Sequence, residues 1–139
     1  MYLVDTNIWL ERLLDQEQSE EVGRFLAQIS TDQLLVSDFT LHSIGVILDH
    51  LGQQKVLVQF VEDVFLEGGV ALVSVPPADM KRVVAVMEQF NLDFDDAYQY
   101  VAAERTGAVI VSFDRDFDRT DRKRWTPMDI LGDKKGLEM

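Results

Sequence analysis

The sequence predicts an α/β protein, a three-layer α/β/α sandwich around a central parallel sheet of four to five strands. Three observations lead there. Short runs that are apolar at nearly every position recur along the chain at 1–4, 34–36, 70–75 and 108–111, as expected of strands covered on both faces. Between them lie longer stretches whose apolar residues fall three and four apart, the helical period. Acids stand directly after the first and last runs, at the strand ends where open parallel sheets bind ligands.

In chain order, Met1-Tyr-Leu-Val4 reads as a strand that meets Asp5, followed by a polar Thr6-Asn7 turn and an amphipathic helix. Ser19 to Ile29 has a serine cap, acids in its first turn, and Val22, Phe25, Leu26 and Ile29 on one stripe. Leu34-Leu-Val36 is the second strand. Ser37-Asp-Phe-Thr40 opens a helix through Leu41, Ile44, Ile47, Leu48 and Leu51 to Gly52. Lys55 to Glu67 reads as one further helix ending at Gly68-Gly69, before the third strand at Val70–Val75. Pro76-Pro77 leads into a helix carrying Met80, Val83, Val84, Met87 and Phe90. The next helix has Phe94, Ala97, Tyr98, Val101 and Ala102 at helical spacing and stops at Gly107. Ala108-Val-Ile-Val111 is the fourth strand, and Ser112-Phe-Asp-Arg-Asp116 the loop beyond it. Alternating strands and helices imply right-handed crossovers.

The chain of 139 residues reads as a single domain over 1–131, with a small, charged, loose tail over 132–139. It has no cysteine, and its two histidines stand far from any paired ligand spacing, so disulfides and thiolate or zinc sites are excluded and any metal must be held by oxygen. With no leader-like segment and no apolar run of membrane-spanning length, a cytoplasmic protein is expected, with no membrane partner. A net charge of -12 disfavours broad attraction to nucleic acid, which needs Lys and Arg against phosphates. The positive charge is concentrated, however: Arg115, Arg119, Arg122, Lys123 and Arg124 follow the last strand, balanced in sequence by Asp116, Asp118 and Asp121.

In a parallel sheet, Asp5 and Asp114 would leave neighbouring strands while Asp96 enters from the helix before the fourth. Carboxylates roughly 5 Å apart repel by about 3 kcal/mol per pair at an effective dielectric near 20, so such a cluster takes up protons or holds a cation. Oxygen donors select a hard ion, Mg²⁺ or Mn²⁺, whose chemistry is phosphodiester hydrolysis. Asp116, two residues beyond Asp114, is the fourth candidate ligand. Asp95 reads as an ordinary helix-start acid. His50, Trp9 and Trp125 read as core or interface residues.

Val4-Asp-Thr-Asn7, Asp96-Ala97 opening a helix, and Val111-Ser-Phe-Asp-Arg-Asp-Phe117 together resemble the PIN domain, the metal-dependent nuclease fold that includes the toxins of bacterial VapBC toxin–antitoxin pairs. The resemblance covers nearly the whole chain. It implies a Mg²⁺- or Mn²⁺-dependent endoribonuclease acting on RNA, with a small antitoxin as partner, a homodimeric state, Asp5, Asp96 and Asp114 as catalytic acids, and Ser112 and Asn7 orienting water or the Asp5 carboxylate. One position departs from the family. Where its members usually carry a glutamate on the helix after the second strand, this chain reads Ser37-Asp-Phe-Thr-Leu-His-Ser43, with Ser43 at the glutamate position and Asp38 or His42 as candidates to replace it. That departure also admits a PIN-fold binding or dimerisation module without activity. Aspartyl-phosphate chemistry, the other use of acids over a parallel sheet, needs a lysine at a strand end, and no strand here ends in one.

Overall fold

The computed structural model describes the backbone of residues 1–138 and the side chains through Gly132; most of the tail expected over 132–139 lies outside the side chains described. The four strands are β1 (Tyr2–Val4), β2 (Leu34–Ser37), β3 (Ala71–Val73) and β4 (Val109–Val111). All neighbours pair in parallel, in the order β3-β2-β1-β4. The chain therefore steps outward from β1 to β2 to β3 and returns to the far side of β1, which puts the topological switch point between β1 and β4.

The helices are α1 (Thr6–Leu13), α2 (Ser19–Gln28), α3 (Asp38–His50), α4 (Gln54–Val61), α5 (Met80–Phe90), α6 (Phe94–Thr106) and α7 (Pro127–Glu138). Strand residues alternate strictly between two cores. Leu3, Leu35 and Ile110 face Val83, Val86, Ala97, Val101 and Phe117 on the α5–α6 side, whereas Val4, Val36 and Val111 face Ile8, Trp9, Phe25, Ile44, Leu48 and Phe60 on the α1–α4 side. This is why the strands read as apolar at every position: both faces of the pleat are covered. Only β3 is thinly covered, with Leu72 half exposed, because it is the sheet edge. On the other edge Trp125 forms a parallel bridge to Val111. Outside α5 and α6, Arg82 pairs with Glu104 at 2.8 Å and Arg105 with Asp79, exposed bridges worth under about 1 kcal/mol each.

Two local expectations change, and one helix is added. Asp5 itself caps α1 by accepting from the Thr6 amide, so the helix starts at Thr6 with no intervening turn. The stretch expected as one helix from Lys55 to Glu67 passes after Val61 into a π-helical turn, Glu62–Glu67, where the Gly68 amide reaches back five residues to the Asp63 carbonyl. The wider turn keeps Val64 and Phe65 against the core beside Phe60. Beyond Pro127 the chain forms α7, which places Ile130 against the α1–α4 core. Among the described residues no helix is long and apolar enough to cross a membrane.

Candidate metal centre

The site lies at the carboxyl ends of β1 and β4, at the switch point. Asp5, Asn7, Ser43, Asp93, Asp95, Asp96 and Asp114 line one open cleft of about 370 Å³ there. Each is placed by a local device. Asp5 is the last residue before α1 and its amide donates to Val111 of the neighbouring strand at 2.9 Å, tying the two strand ends together. Asp93 caps α6 through the Asp96 amide at 2.9 Å, after Asn91 ends α5 in a left-handed conformation at φ 54°. Asp114 accepts from the Asp116 amide at 2.9 Å, which folds the loop beyond β4 into a short 3₁₀ turn.

Asp5 is only 7% exposed, and its carboxylate is held on every side. Oδ1 accepts from the Thr6 amide (2.8 Å) and from Gln99 Nε2 (2.8 Å). Oδ2 accepts from Ser112 Oγ (2.7 Å) and, at 3.5 Å, from Asn7 Nδ2. Asn7 also donates to Ser112 Oγ (3.2 Å) and accepts from the Phe113 amide (3.1 Å), so Asn7 and Ser112 join the β1 end to the β4 loop. Burial pushes the Asp5 carboxyl above its ordinary range, and the bonds from Gln99, Ser112 and Thr6 pull it back.

Asp96, 8% exposed, has opposite surroundings. No donor reaches its carboxylate among the described residues. Burial first, then the charges of Asp114, Asp93 and Asp5, push it up to about 8, so without a cation it holds a proton at neutral pH. One carboxylate oxygen from each of Asp96, Asp114 and Asp116 lies within 4.8 Å of the other two. Asp5 faces the same cleft but stands outside that closest trio, while Asp116 completes it and also pairs with Arg119 at 3.4 Å on the solvent side.

Ser43, where the resemblance led to the expectation of a glutamate, lines the cleft, and among the described residues no acid of α3 does. Asp38 is turned away, accepting from Tyr98 Oη (2.8 Å) and its neighbouring amide, and His42 is exposed outside the cleft. The additional acids come instead from the start of α6, where Asp93 and Asp95 both line it. Burial and then the charge of Asp93 raise the Asp95 carboxyl.

Sequence reading missed Gln99. It is 1% exposed, donates through Nε2 to Asp5 and to Thr40 Oγ1 (2.7 Å), and accepts from Ser37 Oγ at 2.6 Å. Ser37 in turn caps α3 by accepting from the Thr40 amide. The available signal was its spacing: Gln99 lies three residues after Asp96 and so on the same helical face.

An all-carboxylate donor set with one buried acid lacking any hydrogen-bond donor fits a hard divalent cation. No curated protein matches this chain. Among solved structures, the fold is similar to FitAcB from Neisseria gonorrhoeae, with TM-score 0.73, 21% identity, and coverage of 92% of this chain and 99% of that one. It is similar to the Mycobacterium tuberculosis toxin VapC20, described as sarcin-ricin loop cleaving, with TM-score 0.72, 17% identity and coverage of 85% and 93%. A toxin–antitoxin complex from Klebsiella pneumoniae gives TM-score 0.71, 19% identity and coverage of 91% and 98%. At these identities the likeness speaks for the fold; the sequence itself matches the PIN domain model over residues 2–123, and the chain belongs to the PIN domain family, whose members are generally nucleases that use divalent metals.

Proposed function

We propose that this protein is a Mg²⁺- or Mn²⁺-dependent endoribonuclease, acting in the cytoplasm as the toxin of a toxin–antitoxin pair, homodimeric, with residues 1–131 as its single working domain. The observation that carries the reading is the buried, donor-free carboxylate of Asp96 set against Asp114 and Asp116 at the sheet's switch point. The neighbouring structures support the biological part, since the one from Klebsiella is of a toxin–antitoxin complex and VapC20 is described as a sarcin-ricin loop cleaving toxin.

Asp96, Asp114 and Asp116 would hold the cation, with Asp5 as the fourth acid facing the cleft. Bound there, the ion would acidify a water for attack on phosphorus and offset the charge that develops on the phosphate. Asp96 must release its proton for the cation to enter, so affinity rises with pH through the range around 8. Asn7, Ser112 and Gln99 fix the Asp5 carboxylate in one orientation, which removes the need to order it during the reaction. Asp93 and Asp95 add negative charge at the mouth, supplying from α6 some of the field that Ser43 does not supply from α3.

Cleavage of a mixed RNA pool with Mn²⁺ or with EDTA, alongside calorimetric titration of Mn²⁺ and Mg²⁺, tests this. Cutting that requires metal and is lost in Asp96→Asn is expected. Cutting that survives the chelator overturns it. Ser43 in place of an acid favours a second reading, a non-catalytic PIN-fold module, and metal binding indifferent to Asp96→Asn and Asp114→Asn, with no cleavage, would establish that one.

A further inference from the structure

We infer that the cleft along the outer edge of β4, formed by Arg122, Lys123, Arg124 and Trp125, is a track that holds single-stranded RNA and leads it to the acid site. This rests on the ribonuclease reading and adds to it where the substrate lies. With 13 basic against 25 acidic side chains, the chain as a whole repels a polyanion, so any nucleic acid must be held by a local excess of positive charge. Among the described residues such an excess lies here. Of the basic residues from 115 to 124, Arg119 and Arg124 are paired with Asp116 and Asp118, and Asp121 accepts from Tyr100 Oη. Arg115, Arg122 and Lys123 have no carboxylate within ion-pair distance among the described residues. Arg122 still acts through its charge on the nearby Asp121 and Glu104 carboxylates, so the local excess rests chiefly on Arg115 and Lys123.

The cleft measures about 470 Å³, and its three basic residues are held in place by what they touch. Arg122 lies over the Tyr100 ring at 6.0 Å and donates to the Ala108 carbonyl at 3.4 Å. Arg124 donates to the Ser112 carbonyl at 3.3 Å. Lys123 has φ 57°, a left-handed conformation that is costly outside glycine, fixed by its amide donating to Thr120 Oγ1 at 2.9 Å. The one acid in the cleft, Asp129, is engaged with the start of α7, accepting from the Thr126 amide while its own amide donates to Thr126 Oγ1.

Trp125 supplies a stacking surface. Its backbone is locked to β4 by bonds to Ile110 (2.8 Å) and Ser112 (3.0 Å), yet the residue is 37% exposed. Its backbone thus lies one strand spacing, about 4.8 Å, outboard of Val111, the residue before Ser112, whose hydroxyl is bonded to Asp5. Lys123, with Arg122 and the Asp118-paired Arg124 beside it, next to an exposed aromatic is a combination that binds single strands, and only an unpaired base can offer its face to an indole.

The test uses the full chain carrying Asp96→Asn, in EDTA and low salt, titrated with a labelled single-stranded RNA 12-mer and read by anisotropy and tryptophan fluorescence. Trp9 is buried, so quenching reports on Trp125. Expected are quenching, loss of affinity by roughly tenfold in Trp125→Ala, and a slope of log K against log salt shallower by about 0.7 in Lys123→Gln. Circular dichroism and thermal melts of each variant confirm that it is folded. Affinity and quenching unchanged in both variants, or quenching by an acidic peptide of equal charge and not by RNA, overturn the track. Wild-type hydrolysis of bis(p-nitrophenyl) phosphate with Mn²⁺ is measured in parallel. Its absence, with the variants still losing RNA affinity, sinks the nuclease reading and leaves the track standing.

Discussion

Asp5 and Asp96 face the same cleft with nearly equal exposure, and their surroundings are opposite. At the β1–α1 junction a carboxylate receives four hydrogen bonds and behaves as part of the frame. At the start of α6 a carboxylate receives none and is pressed by three other acids. Both carboxyls are pushed up by burial, but donors offset part of that at the first site, whereas at the second nothing offsets burial and the charges of its neighbours. An acid cluster can therefore combine a rigid half with a frustrated half.

The same substitution at both positions tests this most strongly. Asp5→Asn and Asp96→Asn should each lower RNA cleavage more than about 100-fold, but their stabilities should move apart. Asp5→Asn sets an amide NH₂ among donors and should cost about 3 kcal/mol in urea unfolding. Asp96→Asn removes an uncompensated charge and should leave the metal-free protein as stable at pH 8 or more so. Equal destabilisation by both would break the comparison.

Gln99→Leu probes the rigid half from behind. Removing the amide deprives Asp5 of a donor and leaves Ser37 and Thr40 short of a partner, so stability should fall by about 2 kcal/mol. Activity should fall about 10- to 100-fold, as is usual when the group supporting an active-site acid is lost. Normal activity in a destabilised variant would reduce Gln99 to a packing residue.

The frustrated half has a pH signature. The Asp96 carboxyl rises from 3.8 to about 8, so the folded state keeps a proton that the unfolded chain releases. Stability from this group is full below about pH 4 and is lost as pH rises towards and through 8, by about 2 kcal/mol once solvent screening is allowed for. Melting temperatures of metal-free protein at several pH values should show the decline, Asp96→Asn should flatten it, and an unchanged slope in that variant would assign it elsewhere.

Ser43→Glu should give the smallest effect: cleavage raised a few-fold, with metal-free stability lowered by about 1 kcal/mol through added repulsion, both measured beside wild type. Reduced cleavage would mean that the serine is suited to this cleft as it stands.

Much of this was legible in the sequence. Leu3-Val4 and Ile110-Val111 are apolar on both faces because helices cover both sides, and that pattern is local. Asp5, Asp96 and Asp114 announced themselves by standing at element ends. Gln99 did not, since a polar residue amid a helix looks solvated until the sheet behind it is known. Phe94 counted towards an apolar stripe yet is 45% exposed, its ring against Tyr98, because it begins α6 at the rim. The π-helical turn and the position of Asp93 at the cleft depend on neighbours far along the chain.

The strand order has a consequence during synthesis. β1 and β4 are neighbours in space but the first and last strands to be translated, and Ser112 bonds Asp5 across 107 positions. The acid pocket cannot close until almost the entire chain has left the ribosome, and so long-range a contact forms slowly. A nascent copy that still lacks β4 therefore has no assembled acid cluster.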